Sequence, residues 1–410
     1  MRYQRLRILA SGTAALAIAA LALFCSASAS TTQQVVYNFT GGIDGGNAAT
    51  TVAFAASGKA IVTTVQGGID GCGTVDRLTP TQGMWTSRTL WTFTCGADGK
   101  NPHGGVTLDA AGNMFGTTVA GGSGGICVGD GCGVVFRIAA RGGFRVIYNF
   151  TGLKDGFGPG NPVALDTHGN LYGDAPDGGA HGEGVVYQLS FHHDHWVQKV
   201  IHAFTGGNDG GVGSLGPLLI DSAGDIFGVT EIGGFHQAGT AFKITPGPNG
   251  TWTYNVIYAF KGSPDAAFPY GGLIADASGN LYGTTYFGGA SGNGSVYELM
   301  PRATGKYADR VLYSFTGGED GGNPTTTLLF DSAGDLVGTT DAGGASCSCG
   351  VIFKIDHMTG VESVMHAFGS TQTDGQSPLY GLTPDAHGNL FTSTVGGGSF
   401  GQGTIYGITP

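Results

Sequence analysis

The chain has 410 residues, of which 79 are glycine, 41% are hydrophobic and 11% are charged, and its formal net charge is −11. Collagen is excluded because the glycines have no Gly-X-Y period, and disorder is excluded because apolar residues recur throughout in short alternating runs, a pattern typical of an all-β globular protein. Nucleic acid is excluded as a partner because the acidic sequence shows no concentrated basic face for a phosphate backbone.

Residues 1–30 have the order of segments that is typical of a secretory signal peptide. Three arginines lie within the first seven residues, an apolar run follows from 14 to 24, and small residues fill 26–30. The apolar run is too short to span a bilayer comfortably, so we expect cleavage after Ala29 or Ser30. Loss of three arginines and no acid changes the formal charge from −11 to −14. The mature protein is therefore predicted to be secreted, periplasmic or on the cell surface of a bacterium, with no membrane span.

Cysteine spacing predicts disulfides in the exported chain. Cys25 invites a lipoprotein interpretation, but Phe24 before it is too bulky for that processing site. The other cysteines are even in number, which in an exported protein favours disulfides, and they lack the spacing or histidine partners of a zinc site. We expect no metal and no cofactor. The expected pairs are Cys72 with Cys95, Cys127 with Cys132, and Cys347 with Cys349.

A strand-like segment that ends in phenylalanine recurs along the mature chain. Copies include VVYNF, VIYNF and VLYSF, and the intervals between successive phenylalanines are 54, 57, 54, 56, 55 and 53 residues. A fixed period of this length is typical of a propeller or solenoid. The seven copies end at Phe39, Phe93, Phe150, Phe204, Phe260, Phe315 and Phe368.

A turn of the form D-x-x-G-N/D repeats with the same period. It begins at Asp109, Asp166, Asp221, Asp276, Asp331 and Asp385, and the first copy is degenerate at Ala55 to Lys59. The aspartate can hydrogen-bond its own turn, and the glycine can adopt the positive φ that a short hairpin requires. Each repeat therefore predicts four strands, as in one blade of a propeller.

The two ends of the chain predict a closed ring. The mature chain begins with an outer-strand motif, Val35 to Phe39, and ends with the third strand of a blade, Thr404 to Ile408. Pairing these segments removes the exposed edge of a linear array. We predict that residues 31–410 form one domain, a seven-bladed β-propeller of four antiparallel strands per blade that is closed by the N-terminal strand. A solenoid is the alternative, but neither end resembles a cap.

These motifs together resemble a known family. The [VL]-[IL]-[YH]-x-F strand, the G-G-x-D-G-G-N-P loop at 317–324, the D-x-x-G-N-L-Y-G-T-T segment at 276–285 and the G-x-[VI]-[FY]-x-[LI] strand are similar to the GloVer tandem repeat. The resemblance to the choice-of-anchor tandem repeat GloVer-containing proteins covers residues 35–409. It implies a repeat fold but no established chemistry, and a C-terminal surface anchor does not follow the last strand here.

Two sets of recurring aspartates have both a structural and a functional interpretation. An aspartate lies in each loop between the outer strand of one blade and the inner strand of the next, and seven carboxylates in a ring would suit cations or polar sugars. Aspartate before glycine is also a common capped turn, so we favour a structural role for these residues and for the hairpin aspartates. The loop set is Asp44, Asp98, Asp155, Asp209, Asp265, Asp320 and Asp374.

Polar residues break the repeat on the face that carries the glycine-rich loops. Blades three and four place histidine after a Gly-Gly pair, and blades four to six have Glu, Tyr and Asp after the Thr-Thr position, where blades one and two have Val65 and Val119. Imidazoles, carboxylates and a phenol on one rim would suit sugar binding or acid/base chemistry, although loop residues that only face water give the same pattern. The candidate ligand-binding residues are His181, Glu231, His236, Tyr286 and Asp341.

The other histidines and tryptophans are weaker candidates. His192, His193 and His195 lie at a hairpin tip on the opposite face, where a solvated loop is the simpler interpretation. His202 and His366 take the tyrosine position of the outer strand, which indicates packing. Trp85, Trp196 and Trp252 each precede the strand-end phenylalanine by eight residues, which also indicates a structural position.

Function follows from the sequence only in outline. We expect an exported, non-catalytic binding or scaffold propeller, monomeric, that presents its glycine-rich loops to a glycan, a cell-wall component or a cell-envelope protein. The alternative is a secreted lyase or hydrolase that acts on a polysaccharide or small molecule, because propellers host both roles. No residue set identifies a catalytic group.

Overall fold

The computed structural model describes residues 32–127, 129–213, 216–344 and 347–409. The expected signal peptide, residues 1–30, lies outside these ranges. Within them, no helix is long and apolar enough to cross a membrane.

The described residues form seven antiparallel blades arranged in a ring, which confirms the predicted propeller. Apart from one 3-10 turn at Pro248–Gly250, the regular elements of the described chain are strands, and the inner strand of blades four, five and seven is divided into two pieces. Blade one contains β2 (Ala53–Phe54), β3 (Ala60–Thr64), β4 (Thr74–Thr79) and β5 (Thr86–Thr92); blade two β6 (Lys100–Leu108), β7 (Met114–Ala120), β8 (Val134–Ile138) and β9 (Phe144–Asn149); blade three β10 (Ala164–Leu165), β11 (Leu171–Ala175), β12 (Val185–His192) and β13 (His195–Ala203); blade four β14 (Gly211–Gly213), β15 (Leu219–Ile220), β16 (Ile226–Ile232), β17 (Thr240–Pro246) and β18 (Trp252–Ala259); blade five β19 (Ala266–Pro269), β20 (Ile274–Ala275), β21 (Leu281–Gly288), β22 (Ser295–Pro301) and β23 (Tyr307–Ser314); blade six β24 (Leu329–Phe330), β25 (Leu336–Thr339), β26 (Val351–Ile355) and β27 (Glu362–Ala367); blade seven β28 (Gly375–Gln376), β29 (Thr383–Pro384), β30 (Leu390–Thr394), β31 (Gly396–Gly397) and β32 (Thr404–Thr409).

The N-terminal strand closes the ring as predicted. Strand β1 (Thr32–Asn38) pairs antiparallel with β32 and becomes the outer strand of blade seven. Val36 on this strand is buried, and its carbonyl accepts a hydrogen bond of 2.7 Å from the Trp85 amide of blade one. The closing strand therefore joins blade seven to blade one.

A glycine and an aromatic ring meet in the core of five blades. In blade two, Gly116 pairs with Phe136 in register, and a Cβ added at this glycine would lie 2.5 Å from the ring's Cζ. The glycine of the Y-G-T-T segment is thus required because the ring of the next strand lies over it. The five pairs are Gly116 with Phe136, Gly173 with Tyr187, Gly228 with Phe242, Gly283 with Tyr297, and Gly338 with Phe353.

Each loop aspartate is held by the blade that precedes it, as its structural interpretation requires. In blade five, Tyr313 donates to Asp320 at 3.0 Å and the Thr316 amide donates to the same carboxylate at 2.7 Å. His202 and His366 take the place of this tyrosine and contact Asp209 and Asp374. A β-bulge in every outer strand precedes the ring that makes this contact, and a bulge re-aims the next side chain.

The hairpin aspartates and the cysteines also have the predicted structural roles. Asp109 accepts from the amides of Ala111 and Asn113 at 3.0 and 2.8 Å, and Gly112 has a φ of 80°. The three expected disulfides are present, with Cα separations of 5.4, 5.3 and 5.3 Å.

Candidate functional site

The inner segment of each blade is positioned by the loop that precedes it. Asn101 of a G-K-N-P loop and Asn323 of the G-G-N-P loop have φ of 56° and 52°, in the left-handed region. Their side-chain amides donate to the carbonyls of Val65 and Tyr286, which lie at the rim of the preceding blade, at 3.0 and 2.9 Å. The loop asparagine therefore ties neighbouring blades together and directs the next residues toward the ring axis.

His103 and Tyr380 meet across the axis. His103 belongs to the inner segment of blade two and Tyr380 to that of blade seven, so their contact bypasses blade one. Burial lowers the pKa of the His103 imidazole and raises the pKa of the Tyr380 phenol well above its usual value. The lowered pKa favours the neutral imidazole at pH 7, and its Nδ1 forms a hydrogen bond with the tyrosine hydroxyl.

A cavity of about 360 Å³ lies beside this pair, toward blades four to six. Its wall is largely aromatic: the Tyr270 and Tyr286 rings are 5.6 Å apart, and Tyr286 lies 4.7 Å from Phe287 in an edge-to-face arrangement. The described lining residues include two carboxylates and no lysine or arginine. They are His103, Glu231, Tyr270, Tyr286, Phe287, Thr325, Asp341, Leu379 and Tyr380.

The two carboxylates give the cavity a negative charge that the protein does not neutralise. Burial raises the pKa of both Glu231 and Asp341, and a hydrogen bond from Ser377 partly opposes this for Asp341. Neither forms an ion pair with any described residue. Burial, followed by the charges of Glu231, Tyr286 and Asp341, raises the pKa of Tyr270 to about 12, so these groups interact electrostatically.

The structure brings three of the five sequence-derived candidates into this cavity. Glu231, Tyr286 and Asp341 line it, whereas His181 and His236 are exposed on their loops and do not. His236 instead contacts the ring of Phe235, which is 77% exposed.

Sequence reasoning missed the residues that the inner segments contribute. These residues are His103, Tyr270 and Tyr380. The only sequence signal for these segments is the variable residue that follows the loop proline, which is His103 in blade two, Tyr270 in blade five and Thr325 in blade six. This variation would have identified the cavity wall, because a repeat protein varies the residues that bind its ligand.

The other candidates have no binding geometry. His192, His193 and His195 are exposed at the turn between β12 and β13. No group of three or more histidine, cysteine, aspartate or glutamate residues in the described ranges is arranged to hold a metal ion.

The family is shown by the sequence as a whole. The model of the Gloeobacter/Verrucomicrobia repeat matches residues 22–216 and 214–410. The chain belongs to this repeat family. No curated protein matches the chain.

Solved propellers share the fold of this repeat protein at low identity. The extracellular domain of a candidate one-component system from B. thetaiotaomicron is 10% identical with a TM-score of 0.56, and the match covers 91% of this chain and 39% of that chain. A fungal alcohol oxidase of the AA5 family in complex with copper is 12% identical with a TM-score of 0.53, over 92% of this chain and 74% of that one.

A third similar structure is a candidate 6-phosphogluconolactonase from Bacteroides fragilis. It is 14% identical with a TM-score of 0.51, and the match covers 82% of this chain and 87% of that one. Identities this low show the fold alone. The chain spans only 39% of the length of the B. thetaiotaomicron protein.

Proposed function

We propose that this repeat protein is an exported, non-catalytic binding propeller that takes its ligand in the cavity at the ring axis. The observation that carries the proposal is a cavity with two carboxylates, an aromatic wall and no lysine or arginine among its described lining residues. An organic cation complements such a site, because aromatic faces attract an ammonium group and the carboxylates neutralise its charge. We therefore expect that the ligand, whether a glycan, a cell-wall component or a protein, presents an ammonium group.

Export is supported by the signal-like leader and by the three disulfides, which persist in oxidising compartments. The position of the site supports binding at a surface. Propellers commonly use the face that carries their variable loops. Here Glu231 and Tyr286 lie near the ends of β16 and β21, and Asp341 follows β25, where these strands lead into the glycine-rich loops.

Choline tests the proposal directly, since its quaternary ammonium does not titrate. We expect calorimetry to show binding of choline and at least about tenfold weaker binding of 3,3-dimethyl-1-butanol, its uncharged isostere, because the cation–aromatic and ionic contacts are lost. The double variant Glu231→Gln/Asp341→Asn should lose choline binding. The matched control is Asp70→Asn/Glu319→Gln, which removes the same charge at exposed positions outside the cavity.

The pH dependence gives a second measure of the same site. The pKa of both cavity carboxylates is raised, so acidification should weaken choline binding at a higher pH than ordinary carboxyl groups would cause. Equal affinity for choline and its uncharged isostere, or equal loss in the two double variants, would contradict the proposal.

A secreted lyase or hydrolase is the alternative function, and the pair of His103 and Tyr380 is the observation that favours it. A neutral imidazole hydrogen-bonded to a phenol can transfer protons in catalysis. Burial raises the pKa of Tyr380, so the phenol gives up its proton less readily at neutral pH than an ordinary tyrosine does. We therefore prefer the binding function to the enzymatic one. Turnover in a polysaccharide substrate screen that His103→Ala abolishes would establish the enzyme.

A further inference from the structure

A groove between blades one and two collects positive charge that the sequence does not show as a cluster. Its volume is about 510 Å³, and its described lining residues include four cationic side chains and no acidic one. Arg77 on β4 and Arg88 on β5 are directly opposite each other in register. No described residue forms a hydrogen bond or ion pair with the side chains of the four cations, which are Lys59, Arg77, Arg88 and Arg141.

Blades four and six neutralise the same position. Lys243 of blade four is equivalent to Arg77 and pairs with Asp225 of its own hairpin at 2.5 Å. Lys354 of blade six pairs with Asp331 and Asp335 at 2.6 and 2.7 Å. In these two blades the balancing acid belongs to the hairpin turn of the same blade, whereas the equivalent Arg137 of blade two donates to the neutral Asn113 at 2.8 Å.

Blade one has lost that acid and gained cations. Its degenerate hairpin has Ala55 where other repeats have the turn aspartate and Lys59 where blade four has Asp225. Arg88 then lies opposite Arg77, and like charges directly opposite in a sheet are destabilising. No acid among the described lining residues of the groove compensates these charges, so an anionic ligand would be attracted to it.

We infer that this groove binds the carboxylate or sulfate groups of an acidic polysaccharide. Guanidinium groups bind such oxyanions with two parallel hydrogen bonds, which suits the paired arginines. Three of the cations come from blade one, and Arg141 comes from the hairpin of blade two. A polysaccharide lying in the groove is therefore contacted from both sides. Leu90, Leu108 and Met114 give the groove an apolar floor for the C–H surfaces of sugar rings.

The acidic character of the whole protein limits such contact to this groove. The chain has a net charge of −11, so a polyanion is repelled elsewhere and has little non-specific affinity. The groove lies at the hairpin end of the blades, whereas the axial cavity lies at the end that carries the glycine-rich loops. The two sites are therefore independent.

Polygalacturonate and heparin serve as the carboxylated and sulfated probes, with the full mature protein titrated at low and moderate salt. We expect binding that weakens with salt, and at least about tenfold weaker binding for Arg77→Gln/Arg88→Gln, because each guanidinium supplies charge-assisted bonds. Lys154→Gln/Arg302→Gln is the matched control. It removes the same charge at exposed positions outside the groove and should change affinity by less than about twofold.

The controls separate this inference from its competitors. Equal losses in both double variants would show diffuse charge attraction and overturn the assignment, as would binding only to anionic lipid vesicles or to duplex DNA. Choline binding and melting temperature should be unchanged in Arg77→Gln/Arg88→Gln. Failure of polysaccharide binding with intact choline binding would refute the groove alone, without affecting the proposed axial site.

Discussion

Asp76 occupies a core position that the equivalent strands of the other blades give to an aromatic ring. Phe136 and Tyr297 show the usual arrangement, and in blade one Val62 replaces the glycine beneath the ring. The Asp76 carboxylate is fully buried and accepts hydrogen bonds from the hydroxyls of Thr74 and Thr89. Burial is the largest influence on the pKa of Asp76 and raises it to about 7. The hydrogen bonds from Thr74 and Thr89 lower this pKa and the charge of Asp44 raises it, each by less than burial does.

This buried carboxyl should make stability depend on pH. Its pKa in the folded state, about 7, is above the unfolded value of about 3.9, so its stabilising contribution is complete at low pH and is lost as pH rises through 7. We expect Asp76→Asn to gain about 3 kcal/mol of stability relative to wild type between pH 5 and pH 8, at about 1.4 kcal/mol per pH unit up to the folded-state pKa. Denaturant unfolding at both pH values measures the difference, and a difference independent of pH would refute it.

The residues of the candidate site differ in how far sequence could reveal them. Glu231, Tyr286 and Asp341 come directly after the Thr-Thr position of the repeat, so the repeat itself shows that they are equivalent and that they replace valine. His103 and Tyr380 are 277 residues apart, and they meet only because the ring closes. Such a contact depends on the curvature of the whole sheet array, which local sequence does not encode.

At the scale of elements, a glycine facing an aromatic ring sets the packing between the second and third strands of a blade. Gly116 does not have a positive φ, so its backbone conformation is compatible with alanine. The only steric conflict is with the ring of Phe136, whose Cζ lies 2.5 Å from the added Cβ. We expect Gly116→Ala to cost about 1–3 kcal/mol of unfolding free energy through overpacking.

Two variants isolate the cause of that loss. Gly83→Ala adds a methyl group into open space and should be neutral or slightly stabilising. Phe136→Leu removes the far end of the ring, so Gly116→Ala should cost less in that background, and an additive double-mutant cycle would contradict the model of ring contact.

Hairpins and loops were predictable because each is fixed by residues close in sequence. Asp109 bonds amides two and four residues later, and Asp44 is bonded by Tyr37 and Thr40 nearby. The basic groove was not predictable in this way. Arg77, Arg88 and Arg141 are scattered along the chain, and the sequence-based expectation of no concentrated basic face missed them because neighbouring blades bring them together.

At the scale of the whole molecule, the two proposed sites lie at opposite ends of the blades and carry opposite charge. The axial cavity offers carboxylates to a cation, and the groove offers guanidinium groups to an anion. A propeller can hold both because each blade varies its loops and hairpins without changing its strands. An asymmetric ligand requires unequal blades, and each site consists of departures from the repeat.

Closure by the N-terminal strand leads to the last prediction, that the mature chain unfolds as one domain. Strand β1 supplies the outer edge of blade seven, Val36 and Phe39 are buried, and the Val36 carbonyl bonds Trp85 of blade one. Deletion of residues 32–39 should lower the unfolding free energy by several kcal/mol, since burial of one such side chain contributes about 1.5–3 kcal/mol. In a closed ring the loss also reaches blade four, on the far side, so amide exchange should accelerate in β16 and β17. The control Gln34→Ala changes an exposed residue of the same strand and should leave exchange unaltered. Faster exchange confined to β32 and its neighbours would instead show blades that unfold independently.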